Sequence, residues 1–300
     1  MLALPKSVLI EDEALRDGLQ NETRVFSVEE KLSLVAAIAE AGVRRIQVGS
    51  FVHPKWAPQM ANTDEVFAAL PARDGVVYSG LVLNRAGLDR ALKVGVRHLS
   101  ISVSASETHS RKNANKSTAE ALADILPTIV RALSEGVAVR AGIQSALGCG
   151  FEGAVDPARV LEIARLYAKA GVREINIADT AGLADPALVD RVVRMLADAL
   201  PDVTISLHLH DTRGLGLANM LAGLNAGVTV FDAAVGGLGG CPFLPKATGN
   251  IATEDAVFMC QRMGVETGID VARLRPVALR LADMLGRRLP SRMAYLADAA

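Results

Sequence analysis

The sequence is poor in aromatic residues and has no excess of charge of either sign. Aromatic residues make up 4% of its 300 residues, tryptophan occurs once, and the formal net charge is −1. Few aromatic side chains argue against a platform on which nucleic-acid bases stack. Balanced charge without a basic block argues against an anionic membrane surface or nucleic acid as a partner. We therefore expect no nucleic-acid partner and no membrane partner.

Cysteine and long apolar runs are also scarce. The three cysteines, Cys149, Cys241 and Cys260, are odd in number and widely spaced, which favours a reducing compartment over a disulfide framework. The N-terminal segment meets acidic residues by position 11 and has no long apolar region that would form a signal peptide. No apolar run approaches the roughly 18 residues that span a bilayer. The sequence predicts a soluble, cytoplasmic protein.

A repeated Gly-Val dipeptide divides the chain into units. It precedes β-rich runs, with its glycine at Gly42, Gly75, Gly95, Gly136, Gly171 and Gly227. Asp202-Val203 takes the same place before the run TISLHLH. Glycine just past a helix adopts the left-handed conformation that ends it, and a β-branched residue favours the strand that follows. With an opening strand at SVLIED, the repeat predicts eight strands.

Helical segments lie between most of these strands. Ser27 and Glu30 form a capping box at the start of one helix, and Pro157 and Pro186 open two others. Apolar residues recur at helical spacing after Ser27: Val28, Leu32, Val35 and Ala39. Alternating strands and helices predict a (β/α)8 TIM barrel over about residues 7–265, a C-terminal helical extension over about 266–300, and a single domain. A doubly wound sheet is rejected because RDGLQNE follows the first strand instead of a glycine-rich dinucleotide loop.

Two histidines occur in the run ISLHLHDTRGLGLAN. Side chains alternate along a strand, so Leu207 and Leu209 face the helices while His208 and His210 face the barrel interior. This position is at the carboxyl end of a strand, where barrel enzymes have their active sites. A single inward histidine would more often be a hydrogen-bonded core residue, but two on one face favour metal ligation.

Two further ligand candidates lie at the same end of the predicted barrel. Asp17 follows the first strand, and Asn250 ends a glycine-rich loop after the eighth. Together with the two histidines they offer two oxygen and two nitrogen donors and leave two positions of an octahedral ion open. This set suits Mg²⁺ or Mn²⁺ better than a closed tetrahedral zinc site. Taken alone, Asp17 fits a helix N-cap equally well, and Asn250 fits a turn.

Five short motifs in order resemble the 3-hydroxy-3-methylglutaryl-CoA (HMG-CoA) lyase family. They are RDGLQNE, SFVHPKWAPQM, HLHDTRGLGLAN, GGLGGCPF and ATGNIATED, and the resemblance runs from about residue 7 to about residue 270. Each motif is weak alone, but their order is specific. The resemblance implies a metal-dependent carbon–carbon lyase that cleaves a 3-hydroxyacyl-CoA, above all HMG-CoA to acetyl-CoA and acetoacetate. It also implies a homodimer.

The resemblance assigns roles to individual residues. It implies that Arg16 stabilises the enolate formed on cleavage, and that Cys241 moves a proton on a loop that closes over the substrate. The catalytic set it implies is Arg16, Gln47, Asp179 and Cys241; the substrate-binding set is Arg16, Gln20, Asn113, Ser117 and Thr180; the metal ligands are Asp17, His208, His210 and Asn250. Asp179 fits a strand-end helix cap nearly as well. Cys149 and Cys260 are interpreted as structural.

Gln47 departs from the family, which has glutamate at this position of the second strand. Alternation in RRIQVGSF predicts that Arg45, Gln47 and Gly49 face the interior. A glutamine keeps the shape and a hydrogen bond but cannot carry a proton or a negative charge. Either the glutamate mainly orients Arg16, and HMG-CoA cleavage survives at a reduced rate, or the substrate is a relative such as another 3-hydroxy-3-alkylglutaryl-CoA or citramalyl-CoA.

Two other hypotheses compete with the lyase. One is a condensing 2-oxo-acid acyltransferase, although such synthases generally carry C-terminal accessory regions that we do not expect here. The other is a non-catalytic barrel that binds an acyl-CoA. Gln47 alone supports that hypothesis, and the retained metal ligands oppose it.

Overall fold

The computed structural model describes residues 2–240 and 249–296. Within these ranges eight parallel strands are hydrogen-bonded in chain order, and pairing of β1 with β8 closes them into a barrel. The predicted (β/α)8 TIM barrel is therefore confirmed. The strands are β1 (Leu9–Asp12), β2 (Arg45–Ser50), β3 (Val77–Val82), β4 (His98–Ser104), β5 (Ala138–Gln144), β6 (Glu174–Asp179), β7 (Thr204–Leu209) and β8 (Val230–Ala233).

Ten α-helices occur in the described part of the chain. They are α1 (Val28–Glu40), α2 (Thr63–Ala69), α3 (Arg85–Lys93), α4 (Glu107–Ala114), α5 (Thr118–Ser134), α6 (Pro157–Lys169), α7 (Pro186–Ala199), α8 (Gly216–Asn225), α9 (Thr253–Arg262) and α10 (Val271–Leu285). Helix α10 lies in the predicted extension and packs against α1. The apolar core lies between the strands and the helices. Among the described helices, none is long and apolar enough to cross a membrane.

The local signals that predicted these elements are present. Ser27 and Glu30 form the capping box of α1, and Pro157 and Pro186 occupy the first turns of α6 and α7. All six glycines of the Gly-Val repeat have positive φ, between 72° and 102°. This conformation strains residues that carry a Cβ atom, so glycine ends the preceding segment and turns the chain into the next strand.

The buried face of α1 differs from the predicted one. Its buried residues are Lys31, Leu34, Val35, Ile38 and Ala39, whereas Val28 and Leu32 are only half-buried. Lys31 is tolerated there because its ammonium group donates to the Gln59 carbonyl and to Asn62 Oδ1, both at 2.6 Å. The lysine thereby ties α1 to the loop that carries the PKW motif.

Two local predictions were wrong. The polar run SRKNANKS, residues 110–117, predicts a loop after the fourth strand, but most of this segment belongs to α4, which begins because the Ser106 side chain caps the His109 amide. In β2, the alternation breaks at a register shift between Gln47 and Gly49. A Cβ atom on Gly49 would lie 2.6 Å from Thr63 Oγ1 at the start of α2, so this position faces the helical layer.

Candidate active site

A cavity of about 150 Å³ opens at the carboxyl ends of the strands. Its polar lining comes from several strands and the loops that follow them, as barrel active sites do. The described residues with charged or imidazole side chains in this lining are Glu13, Arg16, Asp17, His109, Arg140, His208, His210 and Asp232. The structure thus brings three of the four predicted metal ligands to one cavity wall.

His208 and His210 face each other at the end of β7. Their Nε2 atoms lie 3.0 Å apart, and both rings are buried. His208 Nδ1 lies 3.1 Å from Asp232 Oδ2, so Nδ1–H donates to the carboxylate and Nε2 is directed into the site. Burial and the neighbouring His208 lower the pKa of His210 to about 4, which keeps its imidazole neutral. A neutral imidazole is the form that binds metals.

Asn250 is brought beside Asp17 by backbone pairing. A β-bridge joins His210 to Asn250. The side-chain nitrogen of Asn250, Nδ2, donates to Asp17 Oδ2 at 2.8 Å. Asp17 Oδ2 also lies 3.8 Å from His210 Nε2. Gly239 passes directly over this pair, since a Cβ atom there would lie 2.6 Å from Asn250 Nδ2. Only glycine allows so close a backbone approach.

The donor atoms of this cluster fit a divalent cation. Ligand atoms of Asp17, His208 and His210 lie within 4.8 Å of one another. Asn250 Oδ1 is buried without a hydrogen-bond partner among the described residues, so an oxygen ligand adjoins the cluster. Burial raises the pKa of the Asp17 carboxyl, but Arg16, His208 and His210 outweigh it and hold the pKa below its ordinary value. An ionised carboxylate, two imidazoles and an amide oxygen form the mixed set that Mg²⁺ or Mn²⁺ accepts.

Arg16 lies on a π-helical turn, Ala14–Gly18, directly after β1. Its guanidinium donates to Gln47 Oε1 through Nε, to Asp17 Oδ1 at 2.7 Å through Nη1, and to Glu13 Oε2 through Nη2. These bonds use three of the five N–H donors of a guanidinium, which leaves two for a substrate. Burial lowers the pKa of Arg16, but Glu13 and Asp17 raise it above its ordinary value, so Arg16 is a fixed cation.

A network of charged side chains lines the floor of the cavity and continues into the barrel interior, and sequence reasoning missed most of it. Arg140 is buried and contacts Glu11, Glu13 and Asp232. In all, three guanidinium groups contact five carboxylates: Arg16, Arg45 and Arg140 with Glu11, Glu13, Asp17, Glu174 and Asp232. The signal was present, since single charges interrupt the apolar strands AVRAGIQ and VFDA at interior positions.

Gln47 faces the interior as predicted, but it lies below the cavity. It is fully buried, its Oε1 atom accepts from Arg16 Nε, and its Nε2 atom lies 3.5 Å from Glu11 Oε1. The described residues that line the cavity do not include Gln47. The contacts of Gln47 are therefore with Arg16 and with the network, and not with the cavity space.

The remaining predicted residues divide into two groups. Gln20, Asn113 and Thr180 line the cavity, and Gln20 Oε1 is buried without a hydrogen-bond partner among the described residues. Asp179 accepts the Leu183 and Ala184 amides instead, and burial raises its pKa to about 6. Ser117 caps α5 through the Glu120 amide. Contact of these last two side chains with substrate stays a prediction.

The predicted catalytic cysteine, Cys241, lies outside the described residues. The other two cysteines, Cys149 and Cys260, are buried and free. Cys149 Sγ lies 2.9 Å from Ser106 Oγ, and burial raises the pKa of the Cys260 thiol to about 11. The raised pKa keeps the Cys260 thiol protonated, so it is not activated as a nucleophile would be.

A closed (β/α)8 barrel whose mouth gathers an aspartate, two histidines, an asparagine and a fixed arginine defines a barrel enzyme with a metal-type site. Comparison with known proteins narrows this class. The model of the HMGL-like family matches residues 7–280, so the chain belongs to that family. It is a carbon–carbon lyase.

Individual relatives agree over nearly the whole chain. The hydroxymethylglutaryl-CoA lyase of Bacillus subtilis (strain 168) is 39% identical over 288 residues, 96% of this chain and 96% of its own length. The (R)-citramalyl-CoA lyase of Chloroflexus aurantiacus is 40% identical over 296 residues, 95% of this chain and 93% of its own. A solved structure of an HMG-CoA lyase from Acinetobacter baumannii, in complex with coenzyme A and 3-methylmalate, has a TM-score of 0.94 at 35% identity and covers 100% of this chain and 98% of that chain.

Proposed function

We propose that the chain is a divalent-metal-dependent lyase that cleaves HMG-CoA to acetyl-CoA and acetoacetate. The observation that carries the proposal is the convergence of Asp17, His208, His210 and Asn250 beside the guanidinium of Arg16. In a member of the HMGL-like family, that arrangement supports cleavage of a 3-hydroxyacyl-CoA more directly than any other reaction. The proposal treats the chain as a single lyase domain.

The metal ligands have separate duties in this proposal. Asp17, His208, His210 and Asn250 would hold Mg²⁺ or Mn²⁺, and the Asp232 carboxylate would fix the ring of His208 through Nδ1. When bound, the cation supplies Lewis acidity that lowers the pKa of the substrate's tertiary hydroxyl and fixes its orientation. These four residues would hold the cation, and substrate oxygen atoms or water would supply its remaining ligands.

Arg16 stabilises the negative charge that develops on the thioester oxygen during cleavage. The hydroxyl passes its proton to a water molecule, the bond between C2 and C3 breaks, and its electron pair stays on C2 as the enolate of acetyl-CoA. The two N–H donors of Arg16 that Glu13, Asp17 and Gln47 do not use can face the thioester oxygen and stabilise that enolate. Loss of such a donor typically costs about 3–4 kcal/mol of transition-state stabilisation.

Proton delivery completes the reaction. C2 of the enolate must gain a proton to give acetyl-CoA, while C3 becomes the carbonyl carbon of acetoacetate. We assign this proton to Cys241, on the family resemblance of GGLGGCPF, within the ordinary range of general acid–base catalysis. Gln47 serves as a neutral residue that orients Arg16 through Nε, since its carboxamide cannot carry a proton.

The rest of the cavity wall is assigned to the substrate. Gln20, Asn113 and Thr180 line the cavity, and their polar side chains suit the acyl carboxylate and the start of the CoA chain. Ser117 and Asp179 border this region and are proposed to contact substrate or to order the loops around it. A cytoplasmic location and a homodimer are part of the proposal; the first rests on the buried free thiols and the second on the family resemblance alone.

A citramalyl-type CoA thioester is the second candidate substrate. A relative of matching length is an (R)-citramalyl-CoA lyase, and Gln47 departs from the family glutamate beside Arg16. Such a substrate carries its carboxylate directly on C3, one bond closer to the reacting carbon than in HMG-CoA. The two candidates therefore differ in how far the distal carboxylate lies from the metal ligands.

A panel of thioesters tests the proposal. Purified protein with Mg²⁺ or Mn²⁺ is incubated with HMG-CoA, a longer 3-hydroxy-3-alkylglutaryl-CoA and citramalyl-CoA, and acetyl-CoA is followed by mass. The highest kcat/KM with HMG-CoA supports the proposal, and a higher value with citramalyl-CoA replaces the substrate. Condensation of acetyl-CoA with a 2-oxo acid, or binding without turnover, would contradict a lyase.

A further inference from the structure

Glu13 contacts the guanidinium of Arg16 at Nη2, whereas Gln47 contacts it at Nε. Glu13 Oε2 accepts from Arg16 Nη2, and Glu13 Oε1 accepts from Arg140 Nη2 at 2.8 Å. Both oxygens are therefore used, and Glu13 is only 1% exposed at its side chain. Since Arg140 is held by Glu11 and Asp232, Glu13 connects Arg16 to a rigid part of the barrel.

Of these two partners, Glu13 makes the stronger contact with Arg16. Both bonds use the ionised guanidinium as donor, but only the Glu13 carboxylate adds an opposite charge, and buried opposite charges attract strongly. Glu13 lines the cavity, whereas Gln47 lies below it. Asp17 also contacts Arg16, but it belongs to the metal ligand set, so its charge is shared with the cation.

A glutamate at position 47 would be out of place in this interior. It would lie beside Glu11, whose Oε1 atom is 3.5 Å from Gln47 Nε2. It would also add a carboxylate to a network in which five carboxylates already face three guanidinium groups. Like charges at this spacing repel when buried. Glutamine at position 47 and glutamate at position 13 are thus mutually compatible.

We infer that Glu13, directly after β1, is the positioning residue that supplies the carboxylate partner of Arg16 in a chain with glutamine at position 47. The inference rests on the proposed function and deepens it, because it names the group that orients the enolate-stabilising guanidinium. It also explains how a chain with Gln47 keeps Arg16 fixed between acceptors. Lyase activity then needs no glutamate at position 47.

The test combines Glu13→Gln with Gln47→Glu and measures kcat at saturating metal and substrate. Glu13→Gln is expected to lower kcat at least tenfold with a smaller change in KM, because the enolate charge appears only in the transition state. Gln47→Glu alone is expected to lower kcat. The double variant exchanges the carboxylate at position 13 for one at position 47. It is expected to have a higher kcat than either single variant.

A matched control uses a carboxylate of the same network that pairs with another arginine. Glu174 contacts Arg45 through two bonds of 2.8 Å. In Glu174→Gln, adding Gln47→Glu is expected to lower kcat again. Recovery in this background as well would mean that only the total interior charge matters, and it would overturn the inference.

Other outcomes would also overturn it. A tenfold or larger gain from Gln47→Glu in the wild type, about 1.4 kcal/mol of transition-state stabilisation, would show that the carboxylate at position 47 had not been replaced. A higher metal requirement of Glu13→Gln, with wild-type kcat once metal is saturating, would show that Glu13 acts through His208, 3.6 Å away. Unchanged kcat in Glu13→Gln would show that Glu13 does not position Arg16 for catalysis.

Urea unfolding keeps the inference separate from the proposed function. The unfolding midpoint of the double variant is expected to exceed those of both single variants, because the two positions share one guanidinium. Strictly additive midpoint shifts would show no coupling and overturn the inference. If the wild type cleaves no thioester of the panel, the proposed function fails. The unfolding midpoints then test alone whether Glu13 and position 47 are coupled through Arg16.

Discussion

The Nε2 atoms of His208 and His210 lie 3.0 Å apart inside the barrel, with Asp17 Oδ2 at 3.8 Å from the second of them. Two imidazole nitrogens adopt this separation when a proton or a cation lies between their lone pairs. The Asp232 carboxylate already occupies the Nδ1 side of His208. His208, His210 and Asp17 are thus arranged to act together, and the first prediction rests on them.

His208→Ala and Asp17→Ala are each expected to abolish divalent-metal binding and turnover. Each removes a ligand from a set held by the end of β7, the turn after β1 and the segment after β8, so the remaining ligands cannot close the gap. Titration calorimetry with Mg²⁺ and Mn²⁺ measures binding, and circular dichroism checks the fold. Full activity of His208→Ala protein after metal depletion would end the metallolyase account.

Cys241→Ser is expected to lower turnover strongly and to leave fold and metal content unchanged. The change keeps the size of the side chain but replaces the thiol with a much weaker acid, which slows proton delivery to C2. Single-turnover rates and metal analysis check it. A wild-type rate with unchanged substrate affinity would make Cys241 a bystander.

Lys31 is expected to make stability rise with pH in the alkaline range. Burial lowers its pKa to about 8 from an ordinary value of 10.5. Between these values the unfolded chain binds more protons than the folded one, so the free energy of unfolding increases with pH, by up to roughly 3 kcal/mol from this residue.

Lys31→Met is the matched control, because methionine keeps most of the volume and cannot titrate. Urea unfolding from pH 7.5 to pH 10 should show the increase in the wild type relative to the variant. Parallel stability curves for the two proteins would show that Lys31 titrates normally.

Much of the fold was predictable because local rules decided it. Glycine at the helix ends and β-branched residues after it marked the strands, and alternation correctly placed His208 and Gln47 inside the barrel. Alternation failed at Gly49, where a bulge rotates the chain, and bulges have no fixed sequence signal. The face of α1 was misjudged at Lys31, whose acceptors lie far away in the sequence.

The site was less predictable than the fold because its residues meet only after the barrel closes. Asp17 and Asn250 were predicted from their places after the first and eighth strands, but their contact depends on the bridge between Asn250 and His210. Glu13 and Arg140 were missed, since a charge on a strand usually indicates a solvent-facing position. Their pairing is visible only when β1 and β5 face each other across the interior.

The most direct measurement is the cleavage of HMG-CoA by protein stripped of metal and then supplied with Mg²⁺ or Mn²⁺, with both products quantified by mass spectrometry. The account predicts no products before metal is added, and equal amounts of acetyl-CoA and acetoacetate afterwards. Equal rates with and without metal, or no cleavage of HMG-CoA or any related 3-hydroxyacyl-CoA, would contradict it.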